Sequence, residues 1–347
     1  MPFPYNPDQN ELDERGLFLV QDPALRARIL PLFDFDPLRP EHRPIGHGTT
    51  FRIDPWGGCA TAFHVVEDML SINDTGDTIM LLPDRRLVAL ELNGITYGHV
   101  PVPVDAWRPL AGMNVQCAVD NQPFQNPILR NLSELASLEI HPSGDGNTPA
   151  QYFPLDLTHW QPKVGEAVMA FGFAGLDLDK HGHGEDRPLQ QYIYGSIGSI
   201  TDIEPANGDR RSPWPMIRVE AEWPGGMSGG PVFNERGLVI GLVSSGIEGQ
   251  GVATATYFSG WDIPARILRT IEPHNAGWFR CYGVFDNMGQ LITTGPEEEP
   301  LVQFAIKYGH GGVKPISHRF GTDDCLSRAV SDGQYDDLKF SKPLHPK

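Results

Sequence analysis

Basic residues are few in this chain, and long apolar runs are missing. Its 347 residues include 27 Lys and Arg against 44 Asp and Glu, for a formal net charge of −17. The basic side chains form no cluster that could neutralise a row of phosphates, so nucleic acid is not an expected partner. No apolar run approaches the roughly 20 residues of a membrane helix, and no secretory signal is visible at the start of the sequence. We therefore expect a cytoplasmic protein that does not bind a membrane.

Cysteines are also few, and they show no paired spacing. They are Cys59, Cys117, Cys281 and Cys325. Their wide separation suits a reducing compartment and matches no ordinary zinc site. The polar loop 177–186 carries carboxylates and imidazoles, and His310 and His318 lie between the last two cysteines, but neither group has a fixed ligand spacing. The sequence therefore predicts no metal site and no cofactor.

Glycine and proline, in contrast, are abundant, with 38 and 32 residues, and 40% of the chain is hydrophobic. This composition favours a mainly β fold of short strands and turns over a helical bundle. From Gly46 onward, short apolar runs alternate with turn residues, which predicts a first β unit over about 44–150 and a second over about 151–272. A segment with proline in its first turn predicts a closing helix over 263–271.

The two ends of the chain do not follow this pattern. Residues 1–43 contain a helical candidate over 22–33 and a proline-rich stretch, and we interpret them as an N-terminal extension. Residues 273–347 alternate weak strand candidates with polar turns. They are expected to form a C-terminal accessory region.

One glycine-rich stretch points to chemistry. It reads Gly225-Gly226-Met227-Ser228-Gly229-Gly230-Pro231, and a predicted β-hairpin follows it. A serine in such a turn exposes its hydroxyl, which is a weak nucleophile unless a neighbouring base removes its proton. The missing side chains of the glycines let a substrate carbonyl approach the backbone, where the amides of Gly226 and Ser228 could hold an oxyanion.

The best candidate for that base is His64. Residues 59–63 read as a strand of small and apolar residues that ends at this histidine. An imidazole at the end of a strand can face a cleft, which is the position that a general base requires.

These motifs together resemble a known family. Thr61-Ala62-Phe63-His64, followed by Gly-x-Ser-Gly-Gly-Pro, resembles the trypsin-like (chymotrypsin-fold) serine proteases. Residues 46–51 and the missing disulfide pattern are similar to the intracellular, HtrA-like bacterial branch, although no PDZ-type carboxylate-binding loop follows residue 272. The resemblance covers about residues 44–272. It implies two six-stranded antiparallel β-barrels of chymotrypsin type with a C-terminal helix.

The resemblance also implies the third member of a catalytic triad. In the family, the acid opens a segment of the form Asp-Leu-Ala-x-Leu-x-Ile, and the match in this chain is 134–140. Glu134 therefore takes the place of the acid beside His64 and Ser228. Because glutamate is one methylene longer than aspartate, its carboxylate must fold back or its backbone must lie farther away. Asp120 and Asp145 remain the alternatives.

Further positions bear on regulation and specificity. Met227 stands where secreted zymogens of the family have an aspartate, so we expect an oxyanion loop that is ready-made or is ordered by a partner or ligand. Glu222 takes the position of the specificity-pocket floor, which implies a weak preference for basic residues. Ser244, Ser245 and Gly246 match the strand that pairs with an extended substrate.

The leading hypothesis is a serine endopeptidase that hydrolyses peptide bonds through an acyl-enzyme. Its expected partners are a protein or peptide substrate and an activating protein. The alternative is an inactive protease-like protein that binds peptides or partners by strand addition. A third hypothesis is ester hydrolysis or acyl transfer by the same triad.

Overall fold

The structure is a computed structural model, and it divides into two compact units, Met1–Ile263 and Pro264–Lys347. It describes residues 3–8, 11–39, 41–73, 79–92, 102–120, 128–141, 151–176, 191–207, 212–247, 249–259, 270–272, 275–320, 325–331 and 334–336. Within these residues, none of the helices is both long and apolar enough to cross a membrane.

The N-terminal unit is built almost entirely of strands. They are β1 (Leu17–Val20), β2 (Ile29–Asp34), β3 (Ile45–Arg52), β4 (Gly58–Ala62), β5 (Leu70–Ile72), β6 (Ile79–Leu81), β7 (Leu87–Leu90), β8 (Trp107–Pro109), β9 (Gly112–Asn114), β10 (Cys117–Asp120), β11 (Ile128–Asn131), β12 (Leu135–Glu139), β13 (Ala167–Gly172), β14 (Ile193–Glu204), β15 (Met216–Glu220), β16 (Pro231–Phe233), β17 (Val239–Ile247) and β18 (Val252–Tyr257). Two short helices accompany them, α1 (Pro23–Arg26) and α2 (Phe63–Glu67), with one 3-10 turn at Val104–Ala106.

Strands β13 to β18 form a closed antiparallel barrel. The strand order of their sheet is β1-β14-β13-β16-β17-β18-β15, and β14 also pairs with β15, so that six strands return on themselves. Apolar residues that alternate along these strands fill the barrel, among them Val168, Val219 and Val243. This barrel is the second β unit that the sequence predicts.

The first β unit is a curled sheet. Its strand order is β8-β7-β2-β3-β4-β12-β9, and within the described residues no pairing joins the two edge strands. The predicted mainly β, chymotrypsin-like fold is confirmed, with one closed barrel and one curled half-barrel. Strands β5 with β6, and β10 with β11, form separate two-stranded sheets instead of extending the first sheet.

The predicted helix over 22–33 is wrong for most of its length. Asp22 caps α1 by accepting hydrogen bonds from the amides of Ala24 (2.7 Å) and Leu25 (3.2 Å), and the helix then ends at Arg26. Residues 29–34 form β2, which pairs with β3 on one side and with β7 on the other. Sheet pairing on both sides outweighs the local helix pattern, and Pro31 has no amide for a helix interior.

Residues 1–43 therefore contribute one strand to each of the two large sheets. Strand β2 belongs to the curled sheet, and β1 joins the sheet of the closed barrel, where it pairs with β14. Phe18 on β1 packs at the edge of Phe171 on β13, with ring centroids 6.2 Å apart. The predicted closing helix over 263–271 lies mostly outside the described residues.

The C-terminal unit has its own small core. Its strands are β19 (Trp278–Phe285), β20 (Leu291–Gly295), β21 (Gly312–Arg319), β22 (Cys325–Ser327), β23 (Ala329–Ser331) and β24 (Gln334–Asp336), and its helix is α3 (Glu298–Tyr308). Helix α3 buries Leu301 and Ala305 against Val284 of the sheet β20-β19-β21-β22. Buried Glu272 accepts hydrogen bonds from Ser317 Oγ (2.7 Å) and Arg328 Nη1 (2.5 Å).

Candidate active site

Ser228 lies in a tight turn that enters β16. Gly226 and Gly229 flank it with φ angles of 93° and 82°, in the left-handed region that disfavours other residues. An ideal Cβ on Gly229 would lie 2.2 Å from Thr61 Oγ1, so no other residue fits that position without a shift. The glycines of the motif are therefore needed to bring the serine hydroxyl to the surface of the barrel.

His64 follows the end of β4, as the sequence predicts, but it lies in the first turn of α2. Its neighbours Phe63, Val65 and Val66 are buried and fix the helix to the sheet. The imidazole itself is 38% exposed. A rigid, packed turn therefore presents one accessible histidine to solvent.

Glu134 is the hydrogen-bond partner of His64. Its Oε1 lies 2.5 Å from His64 Nδ1. The backbone brings the two residues together, because Leu135 pairs with Ala62 and the carbonyl of Glu134 accepts the Phe63 amide at 2.7 Å. The glutamate is only 3% exposed. With a proton on Nδ1 directed at this carboxylate, Nε2 is left as the basic nitrogen.

Two further side chains hold the Glu134 carboxylate. Ser244 Oγ donates to Oε1 at 3.0 Å, and Asn131 Nδ2 donates to Oε2 at 3.4 Å. Of the two alternatives to this acid, Asp145 and the side chain of Asp120 lie outside the described residues. No sequence pattern connects Asn131 with Glu134, although Asn131 lies only three positions before it.

Ser244 owes its position to an irregularity in the sheet. The register of β17 against β18 shifts between Val243 and Ser245, so Ser244 is the extra residue of a bulge. Bulges redirect side chains beside active sites. At this bulge the hydroxyl of Ser244 reaches Glu134, while its carbonyl oxygen accepts a hydrogen bond from Ser228 Oγ at 3.4 Å. Within the described residues, no hydrogen bond joins Ser228 to His64.

Thr49 anchors the turn of Ser228. Its amide donates to the carbonyl of Ser228 at 2.8 Å, and its Oγ1 donates to the carbonyl of Gly226 at 2.7 Å. The same Oγ1 accepts the Phe173 amide at 3.0 Å, and Thr49 is fully buried. The motif at 46–51 includes this threonine but does not reveal its role, because the partners of its side chain lie far away along the chain.

The turn uses some of its backbone groups in internal hydrogen bonds and leaves two amides without an acceptor among the described residues. The Met227 carbonyl accepts a hydrogen bond from the Gly230 amide at 2.9 Å, and the Met227 amide donates to the Pro224 carbonyl at 3.1 Å. In contrast, the amides of Gly226 and Ser228 have no acceptor in the described part of the chain. This arrangement is formed with an uncharged, fully buried Met227. Two such amides can stabilise negative charge on an oxygen.

His64, Glu134 and Ser228 all line one cavity of about 570 Å³. Its lining residues are His64, Glu67, Leu129, Arg130, Asn131, Glu134, Ser212, Trp214, Trp223, Pro224, Gly225, Ser228, Ser244, Ser245 and Gly246. The sequence-predicted base, acid, nucleophile and substrate-pairing strand thus meet at a single site. Such a cavity with a hydroxyl, an imidazole and a buried carboxylate is suited to acyl transfer.

The chain matches one known protein family over more than half of its length. The sequence profile described as a trypsin-like peptidase domain matches residues 48–242. This chain belongs to the trypsin-like peptidase family. His64, Glu134 and Ser228 all lie within the matched region of this peptidase.

Two individual proteins also resemble the chain. The chain is 41% identical over 70 residues to an aminomethyltransferase of Streptomyces coelicolor, a match that covers 20% of this chain and only 18% of that protein. Among solved structures, it resembles the inactive form of a serine-to-alanine mutant of Rv3671c from M. tuberculosis H37Rv, with a TM-score of 0.39 and 14% identity. That match covers 74% of this chain and 91% of the other.

Glu222 does not line the cavity of the peptidase. Its Oε1 accepts the Gly249 amide at 2.6 Å, and its Oε2 accepts the Gly251 amide at 3.1 Å. The residue is 8% exposed. It therefore fixes the turn at 249–251, and both of its oxygens are occupied.

The described residues contain no cluster of three or more His, Cys, Asp or Glu side chains able to hold a metal ion. The loop 177–186 lies outside the described residues. Cys281 and Cys325 are buried, and burial raises the pKa of the Cys325 thiol to about 12.

Proposed function

We propose that this trypsin-like peptidase is a serine endopeptidase that cleaves peptide bonds through an acyl-enzyme. Ser228 is its nucleophile, His64 its general base and Glu134 the carboxylate that orients the imidazole. The observation that carries the proposal is the contact of His64 Nδ1 with buried Glu134 in the cavity that also exposes Ser228.

The reaction follows from this arrangement. His64 Nε2 accepts the proton of Ser228 as Oγ attacks the substrate carbonyl carbon, and Glu134 stabilises the imidazolium that forms. The amides of Gly226 and Ser228 donate to the oxyanion of the tetrahedral intermediate. The imidazolium then gives its proton to the leaving amine as the peptide bond breaks. Water, deprotonated by His64, releases the acyl group by the same steps in reverse.

Substrate binding has a role in releasing the nucleophile. In the free protein, Ser228 Oγ donates to the carbonyl of Ser244. An extended substrate that pairs with 244–246 brings a backbone amide to this carbonyl. The amide replaces the hydroxyl as donor, so that Ser228 can rotate toward His64. Because Thr49 and internal hydrogen bonds already hold the oxyanion loop, we propose that no activating partner is needed to form it.

A preference for basic residues receives little support from these contacts. A basic side chain would have to compete with two backbone amides for the carboxylate of Glu222. Assays of matched peptide and ester substrates distinguish peptide cleavage from ester hydrolysis by the same triad.

One observation favours the alternative, a protein that binds peptides by strand addition without cleaving them. The Ser228 hydroxyl is hydrogen-bonded to Ser244 and not to His64. Labelling with a fluorophosphonate probe distinguishes the two functions. We expect the wild type to be labelled and Ser228→Ala to remain unlabelled. Unlabelled wild type that still captures peptides with the same affinity as Ser228→Ala would establish the binding function instead.

A further inference from the structure

Two backbone segments flank Ser228 in the cavity. Residues 223–225 and residues 244–246 both line it together with Ser228. A substrate that pairs with 244–246 places its scissile bond at Ser228, so the side chain before that bond must enter between the two segments. The width of this gap therefore limits which side chain can be accepted.

The two segments touch each other. An ideal Cβ on Gly246 would lie 2.2 Å from the carbonyl oxygen of Trp223 and 3.5 Å from its Cβ. Backbone contact this close leaves no slot of side-chain width between Gly246 and Trp223. Only a glycine at 246 permits it, because any Cβ there would overlap the Trp223 carbonyl.

The side chain of Trp223 is buried in the core next to this contact. The residue is 3% exposed and belongs to the core cluster of the second barrel, with Val243, Ala253 and Ala255. Neither alanine lines the cavity. Residues 129–131 and Trp214 line it instead. In the described part of the chain, no residue of β18 lines the cavity.

We propose that Trp223 fills the pocket for the residue before the scissile bond, and that this peptidase cleaves after glycine or alanine. This inference rests on the proposed endopeptidase function. A longer side chain would have to displace a buried indole and separate two backbone segments in contact. The contacts that select the substrate then come from the remaining length of the cavity, where Leu129 and Trp214 offer apolar surface.

The test is the cleavage of a fully randomised peptide library, read out by mass spectrometry. We expect the wild type to cut after Gly and Ala at least about 100-fold more efficiently than after Leu, Phe or Arg, the discrimination that pocket size alone can reach. Trp223→Ala should reduce this ratio by about 10-fold or more by admitting Leu and Phe.

Trp223→Phe is the matched control. In the described part of the chain, the indole Nε1 of Trp223 is buried without a hydrogen-bond partner, so phenylalanine removes no bond and keeps most of the bulk. It should keep the preference for Gly and Ala. If Trp223→Ala does not fold, the wild-type ratio still decides the matter, because efficient cleavage after Leu, Phe or Arg overturns the proposal.

The fluorophosphonate probe separates this inference from the function on which it rests, since the probe has no peptide side chain. Labelling of Ser228 together with cleavage after large residues overturns only the role of Trp223. Labelling without any cleavage after Gly or Ala does the same. Absence of both labelling and cleavage overturns the endopeptidase function and this inference with it.

Discussion

Replacement of Thr49 by valine removes a single buried hydroxyl that holds the turn of Ser228 in place. The hydroxyl donates to the Gly226 carbonyl at 2.7 Å and accepts the Phe173 amide at 3.0 Å. Valine has nearly the same shape but leaves both partners buried and unsatisfied, and each such group costs about 1–3 kcal/mol. We expect a loss of about 3 kcal/mol in the free energy of unfolding, or roughly 6–12 °C in Tm.

The same change should lower catalysis. Without its anchor at the carbonyl, Gly226 no longer holds its own amide in line with the amide of Ser228. Loss of one oxyanion donor lowers kcat by about 100-fold to 1,000-fold, whereas KM depends on other contacts and should change little. Thermal unfolding and steady-state kinetics on a cleaved peptide measure the two effects.

Thr49→Ser is the matched control, because it keeps the hydroxyl and loses only a methyl group. It should cost about 1 kcal/mol or less and retain most of kcat. The reasoning is refuted if Thr49→Val keeps kcat within about twofold of the wild type, or if Thr49→Ser is impaired as severely as Thr49→Val.

Two further predictions concern titratable side chains. Glu134→Gln should lower kcat by about 10,000-fold because it removes the charge that orients and stabilises the His64 imidazolium. Glu134→Asp keeps the charge and should recover part of the loss. If Glu134→Gln lowers the steady-state kcat by less than about tenfold, Glu134 does not have this role. Burial lowers the pKa of His47 below its usual value, and the charged groups that act on it are Asp34, Asp68 and Arg85. The folded chain therefore keeps this imidazole neutral at a pH where the unfolded chain, with a pKa of about 6.5, already binds a proton. Stability should therefore be lost as pH falls through about 6.5, and the urea midpoint of His47→Gln should fall less than that of the wild type between about pH 8 and pH 5; equal decreases would show that His47 does not contribute.

Local motifs were sufficient to predict Ser228, His64 and Glu134 as candidates, because each lies in a short segment with a recognisable pattern. The structure makes His64 and Glu134 hydrogen-bond partners and brings Ser228 into the same cavity. The role of Thr49 could not be found in this way, although the residue lies in the motif at 46–51, because its hydroxyl bonds Gly226 and no local pattern records a contact with so distant a residue.

The wrongly predicted helix has a similar origin. Residues 29–34 have apolar residues at spacings that also suit a helix, and only their pairing with β3 and β7 makes them a strand. The position of Glu222 six residues before the serine predicts a role in specificity, and that role stays a prediction. The sequence does not reveal that the amides of Gly249 and Gly251 engage both of its carboxylate oxygens.

The pairing of β1 with β14 has a consequence for the order in which the chain folds. Leu17 pairs with Ser196, and Val20 with Ile193. During synthesis, β1 leaves the ribosome long before β14 and cannot pair until β14 has followed. Contacts with such a large sequence separation form slowly, because much chain entropy is lost before they contribute. Leu17 and Phe18, which are buried in the folded protein, thus remain exposed until β14 has been made, and during that time a chaperone can bind this strand.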